Sequence, residues 1–242
     1  MKKILAVLIT VFVWISVFAA DIWETREVID VNGTTSEKSV IISDGVMKVI
    51  NTSSSGETET LVDLNADKIT IITHNQKSFQ TIKLSEYVKF AQQLFDELKD
   101  KSGNVDPEKV IPKVTFEKQE NETVEKWNCE VWTVSVDGKP YSKVWVAPEL
   151  KNKQLIDFKK KFSAIIPESL AKYRTVDAQI DDNFIEKGTV VKSLKLAQNP
   201  KMPAVMITLK NMTKADVKKL KLAIPTNYID KSAPEMSKPQ SK

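Results

Sequence analysis

The chain has very little of the chemistry that enzymes and metalloproteins most often use, with 1 Cys and 1 His among 242 residues. The single Cys129 excludes an intramolecular disulfide, and Cys129 with His74 cannot supply a standard zinc site. The chain also lacks a G-x-S-x-G elbow, a Walker loop and a dinucleotide-binding glycine motif. We therefore expect no catalytic residue, metal or cofactor, and no enzyme. The sequence leaves two catalytic arrangements open: a pair of acid and base carboxylates, and a Cys129–His74 dyad if these residues meet in space. A polar residue at a strand end is the commoner explanation for His74.

The chain also lacks a strong excess of charge of either sign. Its 36 basic and 32 acidic residues give a net charge of +4, which is too balanced for a nucleic-acid-binding protein. The 41% hydrophobic content is that of an ordinary globular protein. No internal repeat and no Pro-rich or Ser-rich linker divides the chain, which favours a single domain over residues 20–231.

The first residues predict export. Lys2-Lys3, an uncharged run over 4–18 and the small pair Ala19-Ala20 form the three parts of a secretory signal peptide, residues 1–19. A run of about 15 residues is short for a membrane span, so we favour removal of this segment over a retained anchor. Without Lys2 and Lys3 the 36 basic residues become 34 against 32 acidic ones, a net charge of +2. We expect a periplasmic or secreted mature protein that does not span the membrane.

Residues 127–147 predict a β-hairpin at the centre of an antiparallel sheet, because Asp137-Gly138 separates two runs rich in β-forming residues. A regular two-residue turn pairs Val136 with Lys139. One face of the hairpin would then carry Trp132, Val134, Tyr141 and Trp145, and the other Cys129, Val131, Val144 and Val146. Both faces are apolar, so other parts of the chain must cover each of them. We expect Cys129 to be a buried small hydrophobe rather than a reactive thiol.

The rest of the chain predicts an α+β protein. Short strands at spacings of roughly ten residues run from Trp23 to Leu84, as in an antiparallel meander. Apolar residues at helical spacing predict one helix from Ser85, whose apolar stripe, including Val88 and Leu94, must be buried. They predict another helix across 155–166. A last hairpin is expected from strands 184–196 and 204–210. The segment 214–224 fits either a helix or a strand, and the tail 232–242 is expected to be disordered.

The best candidates for a binding site are large apolar side chains. An open, curved sheet that holds helices in its hollow often leaves apolar space between the two layers. We predict that this space is lined by Phe79, Phe95, Trp132, Trp145 and Phe158. The alternative is that these side chains simply form a filled core.

Short motifs carry a resemblance to a known fold. They include a W-N-C-E-V-W strand with Cys129 and Trp132, a following strand with Trp145-Val146-Ala147, and a closing P-x-x-Y element with Pro225 and Tyr228. In these motifs the chain resembles the periplasmic lipoprotein-carrier (LolA/LolB-like) superfamily, and more closely an exported bacterial family of unknown function with that fold. It lacks the glycine that usually precedes the cysteine, and Trp132 stands where tyrosine is usual. The resemblance implies an incomplete antiparallel β-barrel, closed by two or three helices, whose hollow binds acyl chains.

Two functions follow from these observations. The first is an exported soluble binding protein that holds an apolar ligand, a lipid or lipoprotein acyl chain, between a curved β-sheet and helices. The alternative is a non-enzymatic envelope interaction or sensing module with a solid core and no ligand. The sequence leaves the oligomeric state open.

Overall fold

The computed structural model describes residues 22–102, 111–171, 175–199 and 202–232. The predicted signal peptide and residues 233–242 of the predicted tail lie outside the described residues. So do residues 106–108, where Asp-Pro-Glu predicts the start of a short helical turn. Among the helices that are described, none is long and apolar enough to cross a membrane.

The described residues contain thirteen strands, and most of them agree with the strands that the sequence predicts. In chain order they are β1 Trp23–Val31, β2 Thr34–Ser43, β3 Val46–Ser53, β4 Gly56–Asp63, β5 Lys68–Thr73, β6 Ser78–Lys83, β7 Val114–Lys118, β8 Glu122–Val124, β9 Trp127–Val136, β10 Lys139–Ala147, β11 Thr189–Lys195, β12 Val205–Lys214 and β13 Ile229–Asp230.

These strands form one sheet in the order β13-β6-β5-β4-β3-β2-β1-β12-β11-β10-β9-β7, and β8 also pairs with β9. Every neighbouring pair is antiparallel except β13 with β6. The two end strands, β13 and β7, do not pair with each other, so the curved sheet stays open. The predicted α+β fold, with a curved antiparallel sheet as an incomplete barrel, is confirmed.

Four α-helices and one 3-10 turn complete the described part of the fold. They are α1 Leu84–Ser102, α2 Lys153–Ile165, α3 Glu168–Ala171, α4 Val176–Phe184 and the 3-10 turn Val217–Leu220. Side chains cap two of these helices, because Asn152 and Thr175 accept hydrogen bonds from backbone N–H groups in the first turns of α2 and α4. Helix α2 packs on β2, whereas α4 packs on β7 near the other end of the sheet. Helices α2 and α4 therefore lie across the hollow of the sheet.

Helix α4 overturns part of the predicted final hairpin. The expected strand covers residues 184–196, but the chain is helical to Phe184 and β11 begins only at Thr189. This segment has helical periodicity, because Val176, Ile180 and Phe184 recur at four-residue steps after the capping Thr175. The expected strand overlooked that pattern. The pairing of β11 with β12 is confirmed.

The predicted faces of the central hairpin are wrong beyond its turn. Asp137 and Gly138 have φ values of 51° and 77° and form the expected tight turn. A β-bulge then leaves Tyr141 unpaired, so that Val144 faces Trp132 and Trp145 faces Val131. Pro140 stands beside the bulge and has no N–H to donate to the ladder, which is where sheets tolerate proline. Trp132 and Trp145 consequently lie on opposite faces of the hairpin.

Each face of the hairpin is covered, as the sequence predicts. One face packs Val134, Val144 and Val146 against Phe184 of α4. The other belongs to a cluster of Trp127, Cys129, Val131, Trp145, Ala147, Val191 and Leu209. Cys129 is fully buried there, and burial raises the pKa of its thiol. The prediction that Cys129 is buried is confirmed.

Helix α1 begins against a carboxylate from an earlier turn. Asp67 accepts hydrogen bonds from the backbone N–H and the hydroxyl of Ser85, at 2.8 and 2.5 Å. The Ser85 hydroxyl is the main reason that the pKa of Asp67 lies below its ordinary value. The apolar stripe of α1 is only partly buried: Val88 is 7% exposed, but Leu94 is 44% exposed. The expectation that the whole stripe is buried is wrong.

We expect Asp67→Asn to lower the free energy of unfolding by about 1 kcal/mol, because an amide oxygen accepts the two hydrogen bonds from Ser85 more weakly than a carboxylate does. Because folding lowers the pKa of Asp67, the carboxylate stabilises the protein above its unfolded pKa, and this contribution is lost as pH falls through the folded pKa. Denaturant titrations of both proteins should therefore converge as the solution is acidified. A stability difference that stays constant at acid pH would contradict this role for the charge.

A C-terminal strap, residues 215–232, crosses the outer face of the sheet, the face opposite the helices. Its Lys219 ammonium pairs with Glu24 of β1 at 2.5 Å, and Lys48 donates a hydrogen bond to the Lys221 carbonyl at 3.2 Å. Burial alone would raise the pKa of Glu24, but hydrogen bonds from Lys219, Arg26 and Ser39 outweigh it and lower that pKa. The strap then pairs as β13 with β6. The ambiguous segment 214–224 is thus mostly this strap with one 3-10 turn.

Candidate ligand-binding cavities

Two adjoining cavities lie between the sheet and the helices: α4 lines both of them, and α2 lines the smaller one. The larger, called here the polar cavity, measures about 450 Å³, and the smaller apolar cavity measures about 330 Å³. Glu27, Lys38, Asp181 and Val190 line both, so the two spaces share a wall. These volumes fall in or near the range of small-molecule sites in proteins.

The apolar cavity lies over the first three strands of the sheet. Strand alternation turns Val40 and Ile42 of β2 and Met47 and Val49 of β3 towards it. Helix α2 contributes Leu155 and α4 contributes Phe184 from the other side. Aliphatic and aromatic side chains from both layers therefore form most of its wall.

The polar cavity has an apolar floor and a charged end. Val144, Val190, Ile207 and Ile180 form much of its surface. At the charged end the Tyr141 hydroxyl donates a hydrogen bond to Asp177, and Lys195 pairs with the same carboxylate at 3.2 Å. Burial alone would lower the pKa of Lys195, but its bonds to Tyr141 and Asp177 outweigh burial and raise that pKa.

Ion pairs stand at the junction of the cavities. Lys38 of β2 pairs with Glu27 of β1 at 3.1 Å, and Lys159 of α2 pairs with Asp181 of α4 at 3.0 Å. All four side chains keep some contact with solvent. The second pair links two of the helices that cover the hollow, and exposed ion pairs of this kind contribute little to stability. Separation of α2 from α4 would consequently cost little at this point.

Trp145 lies away from both cavities. Its indole N–H donates a hydrogen bond to Glu122 at 2.7 Å, and the ammonium groups of Lys143 and Lys192 each lie 4.8 Å from its ring centre. The hydrogen bonds from Lys143 and Trp145 lower the pKa of Glu122. These contacts hold Trp145 in the cluster on the second face of the hairpin.

Trp132 and Phe158 lie closer to the helical layer. The Trp132 ring packs edge-on against Phe184, with 5.8 Å between ring centres, so it stands behind a residue that lines the apolar cavity. Phe158 is a buried residue of α2, and its ring stacks on that of Phe162, with 6.3 Å between ring centres. Both residues therefore support the layers that enclose the cavities.

Phe79 and Phe95 complete the predicted set. Ile72 pairs with Phe79, whereas the cavity residues Met47 and Val49 align with Ile69 and Ile71, so Phe79 lies on the outer face of β6. The side chain of Phe95 lies outside the part of the chain that the structure describes. Of the four predicted residues whose side chains are described, none lines either cavity, and a ligand-lining role for the set of five stays a prediction.

The cavity residues of β2 and β3 share a signal in the sequence, the alternation of apolar and outward-facing residues. In β2 and β3 they alternate with outward-facing residues, as at Val40 and Ile42, but such alternation marks a buried face without separating a filled core from a cavity. The predicted lining residues were large aromatic side chains, which in this fold fill the space between the layers. Smaller aliphatic side chains form most of the wall of the apolar cavity.

No family model matches this chain, and no curated protein matches it. Similar solved structures exist. An uncharacterized conserved protein from Thermus thermophilus has 5% identity and a TM-score of 0.48, with 89% of this chain and 92% of that chain covered. MucB of Pseudomonas aeruginosa, in its complex with MucA, has 13% identity and a TM-score of 0.39 over 84% of this chain and 56% of that one.

A LolA superfamily protein from Nitrosomonas europaea is also among the similar structures, with 7% identity and a TM-score of 0.30 over 83% of this chain and 89% of that chain. The superfamily that the hairpin motifs resemble therefore appears among the structures similar to this chain.

Proposed function

We propose that the mature protein is an exported, non-enzymatic binding protein that holds an apolar ligand, the acyl chain of a lipid or lipoprotein, between its curved sheet and its helices. The observation that carries this proposal is the apolar cavity between β1–β3 and helices α2 and α4. An acyl chain that enters it would gain about 0.8 kcal/mol for each buried CH₂ group.

The polar groups around the cavities fit the other end of such a ligand. Lys38 and Lys195 offer ammonium groups, and Ser142 is 6% exposed with a hydroxyl that has no hydrogen-bond partner among the described residues. The polar head of a ligand whose acyl chain lies in the apolar cavity would extend past the Lys38–Glu27 pair towards Lys195 and Ser142. Reversible separation of α2 from α4 would admit the chain.

The proposal is favoured over an interaction module with a solid core because the sheet and the helices do not fill the space between them. It agrees with the predicted signal peptide, since an exported protein shares the bacterial envelope with acyl-bearing lipids and lipoproteins. A periplasmic or secreted location remains part of the proposal.

A cavity-filling substitution tests the apolar cavity. We expect Val49→Phe to weaken binding of a dansyl-labelled fatty acid about tenfold, or about 1.4 kcal/mol, because the added ring occupies the space of several methylene groups. The measurement is a fluorescence titration of the delipidated mature protein. Val49→Ile is the matched control, since it adds a single methyl group at the same position, and thermal melts check that both variants fold.

Unchanged affinity of a folded Val49→Phe protein would place the ligand elsewhere. The aromatic set is tested in the same titration by alanine at both Trp132 and Trp145. If affinity is unchanged in that folded variant, the prediction that these residues line the site is wrong.

A further inference from the structure

His74 lies in a cluster of possible metal ligands on the outer face of the sheet, away from both cavities. The pairing of Thr58 with Thr73 brings Glu57 of β4 opposite His74, which follows β5, and puts Glu59 two residues further along the same face. His74 Nε2 lies 3.0 Å from Glu59 Oε1 and 3.6 Å from Glu57 Oε1. One ligand atom from each residue lies within 4.8 Å of the other two.

These distances suit a tetrahedral metal ion. Zinc binds imidazole nitrogen and carboxylate oxygen at roughly 2.0–2.2 Å, which separates the ligand atoms of a tetrahedron by roughly 3.3–3.6 Å. The two distances from His74 Nε2 lie close to that range, so small side-chain movements would complete the geometry. Glu57 is 44% exposed, which leaves room for water at a fourth position.

The surroundings of the cluster orient its ligands. His74 Nδ1 forms a hydrogen bond of 2.8 Å with the hydroxyl of Tyr228, so Nε2 is left as the metal-binding nitrogen. Lys48 pairs with Glu59 through Oε2, at 2.5 Å, and leaves Oε1 towards His74. A metal-binding histidine usually has its second nitrogen held in this way, and its carboxylate neighbours are themselves paired.

We propose that Glu57, Glu59 and His74 bind a divalent transition-metal ion of the zinc class, with water as the fourth ligand. One imidazole with two carboxylates favours such an ion over Ca²⁺ or Mg²⁺, which take oxygen ligands alone. The sequence argument against a zinc site considered Cys129 and His74 but not glutamates.

The site would fasten the C-terminal strap to the sheet. Tyr228 belongs to the strap, and the next residues pair with β6 through hydrogen bonds from Ile229 N–H to Lys77 O and from Lys231 N–H to Phe79 O. A metal that fixes His74 also fixes the hydroxyl partner of Nδ1. Bound metal should therefore slow hydrogen exchange at the backbone amides of Ile229 and Lys231.

The test is a Zn²⁺ titration of the untagged, metal-free mature protein by calorimetry, with Co²⁺ absorption as a second readout. We expect one ion per chain, a tetrahedral Co²⁺ spectrum, and affinity at least roughly 100-fold weaker in His74→Gln. Tyr228→Phe removes only the partner of Nδ1 and should weaken binding roughly 10- to 100-fold. Thermal melts without metal check that each variant folds.

Glu37→Gln is the matched control, because it removes an exposed glutamate of β2, which β3 separates from the strand that carries Glu57 and Glu59. It should bind Zn²⁺ like the parent protein. Equal affinity in the parent and in His74→Gln would show that carboxylates elsewhere bind the ion, and no binding at roughly millimolar Zn²⁺ would show that the cluster is only a hydrogen-bonded group. Either result overturns the proposal.

Discussion

Phe184→Ala should lower the free energy of unfolding by about 3–5 kcal/mol, the range measured when a buried phenylalanine is removed. Phe184 is 1% exposed at the end of α4, and its ring meets Phe116 of β7 and Trp132 of β9 edge-on, at 5.5 and 5.8 Å. The substitution removes the contacts that join α4 to this end of the sheet. Urea denaturation followed by tryptophan fluorescence measures the loss.

The matched control is Phe90→Ala on α1, because Phe90 is 40% exposed and should cost less than about 1 kcal/mol. Phe184→Leu keeps most of the apolar volume and should lie between the two. If Phe184→Ala and Phe90→Ala cost the same, α4 does not depend on its aromatic contacts in the way that the structure indicates.

Gly188→Ala should cost roughly 3 kcal/mol, at the upper end of the range for overpacked sites. Gly188 connects α4 to β11, and an added Cβ atom would lie 2.3 Å from the carbonyl oxygen of Ala147 and 2.8 Å from Pro148 Cα. Both are backbone atoms, so no side chain can rotate away to relieve the clash. Relief of the clash would require a movement of α4 or of the end of β10. Urea denaturation followed by tryptophan fluorescence measures the cost in free energy of unfolding.

Gly33→Ala separates this clash from ordinary backbone strain. Gly33 has a φ of 79° and no atom within 4 Å of an added Cβ, so its substitution should cost only about 1–2 kcal/mol for the left-handed conformation. A loss at Gly188 no larger than the loss at Gly33 would contradict the close approach of β10.

Local pattern predicts most of the sheet. Strands β9 and β10 together span the predicted hairpin, 127–147, and Asp137-Gly138 forms the predicted turn, because both features depend on side-chain alternation and on φ preferences within a few residues. The bulge at Tyr141 also had a local signal in Pro140. It was missed, and one unpaired residue was enough to put Trp132 and Trp145 on opposite faces of the hairpin instead of the same face.

The site could not be predicted in the same way. The apolar cavity combines Val49 of β3 with Leu155 of α2 and Phe184 of α4, and no local rule states where helices come to rest on a sheet. The strap is a similar case, since Lys219 meets Glu24 across almost the whole chain. Charged residues in an irregular segment carry no periodicity that would reveal the contact.

Native mass spectrometry of the mature protein, purified from the compartment to which it is exported, tests acyl-chain binding most directly. The account predicts a mass above that of the polypeptide, acyl species in the extracted lipid, and return to the polypeptide mass after delipidation. The Val49→Phe protein should carry less of the same species. A polypeptide mass alone, unchanged after incubation with lipids, would contradict the account and favour an interaction module that works through its outer surface.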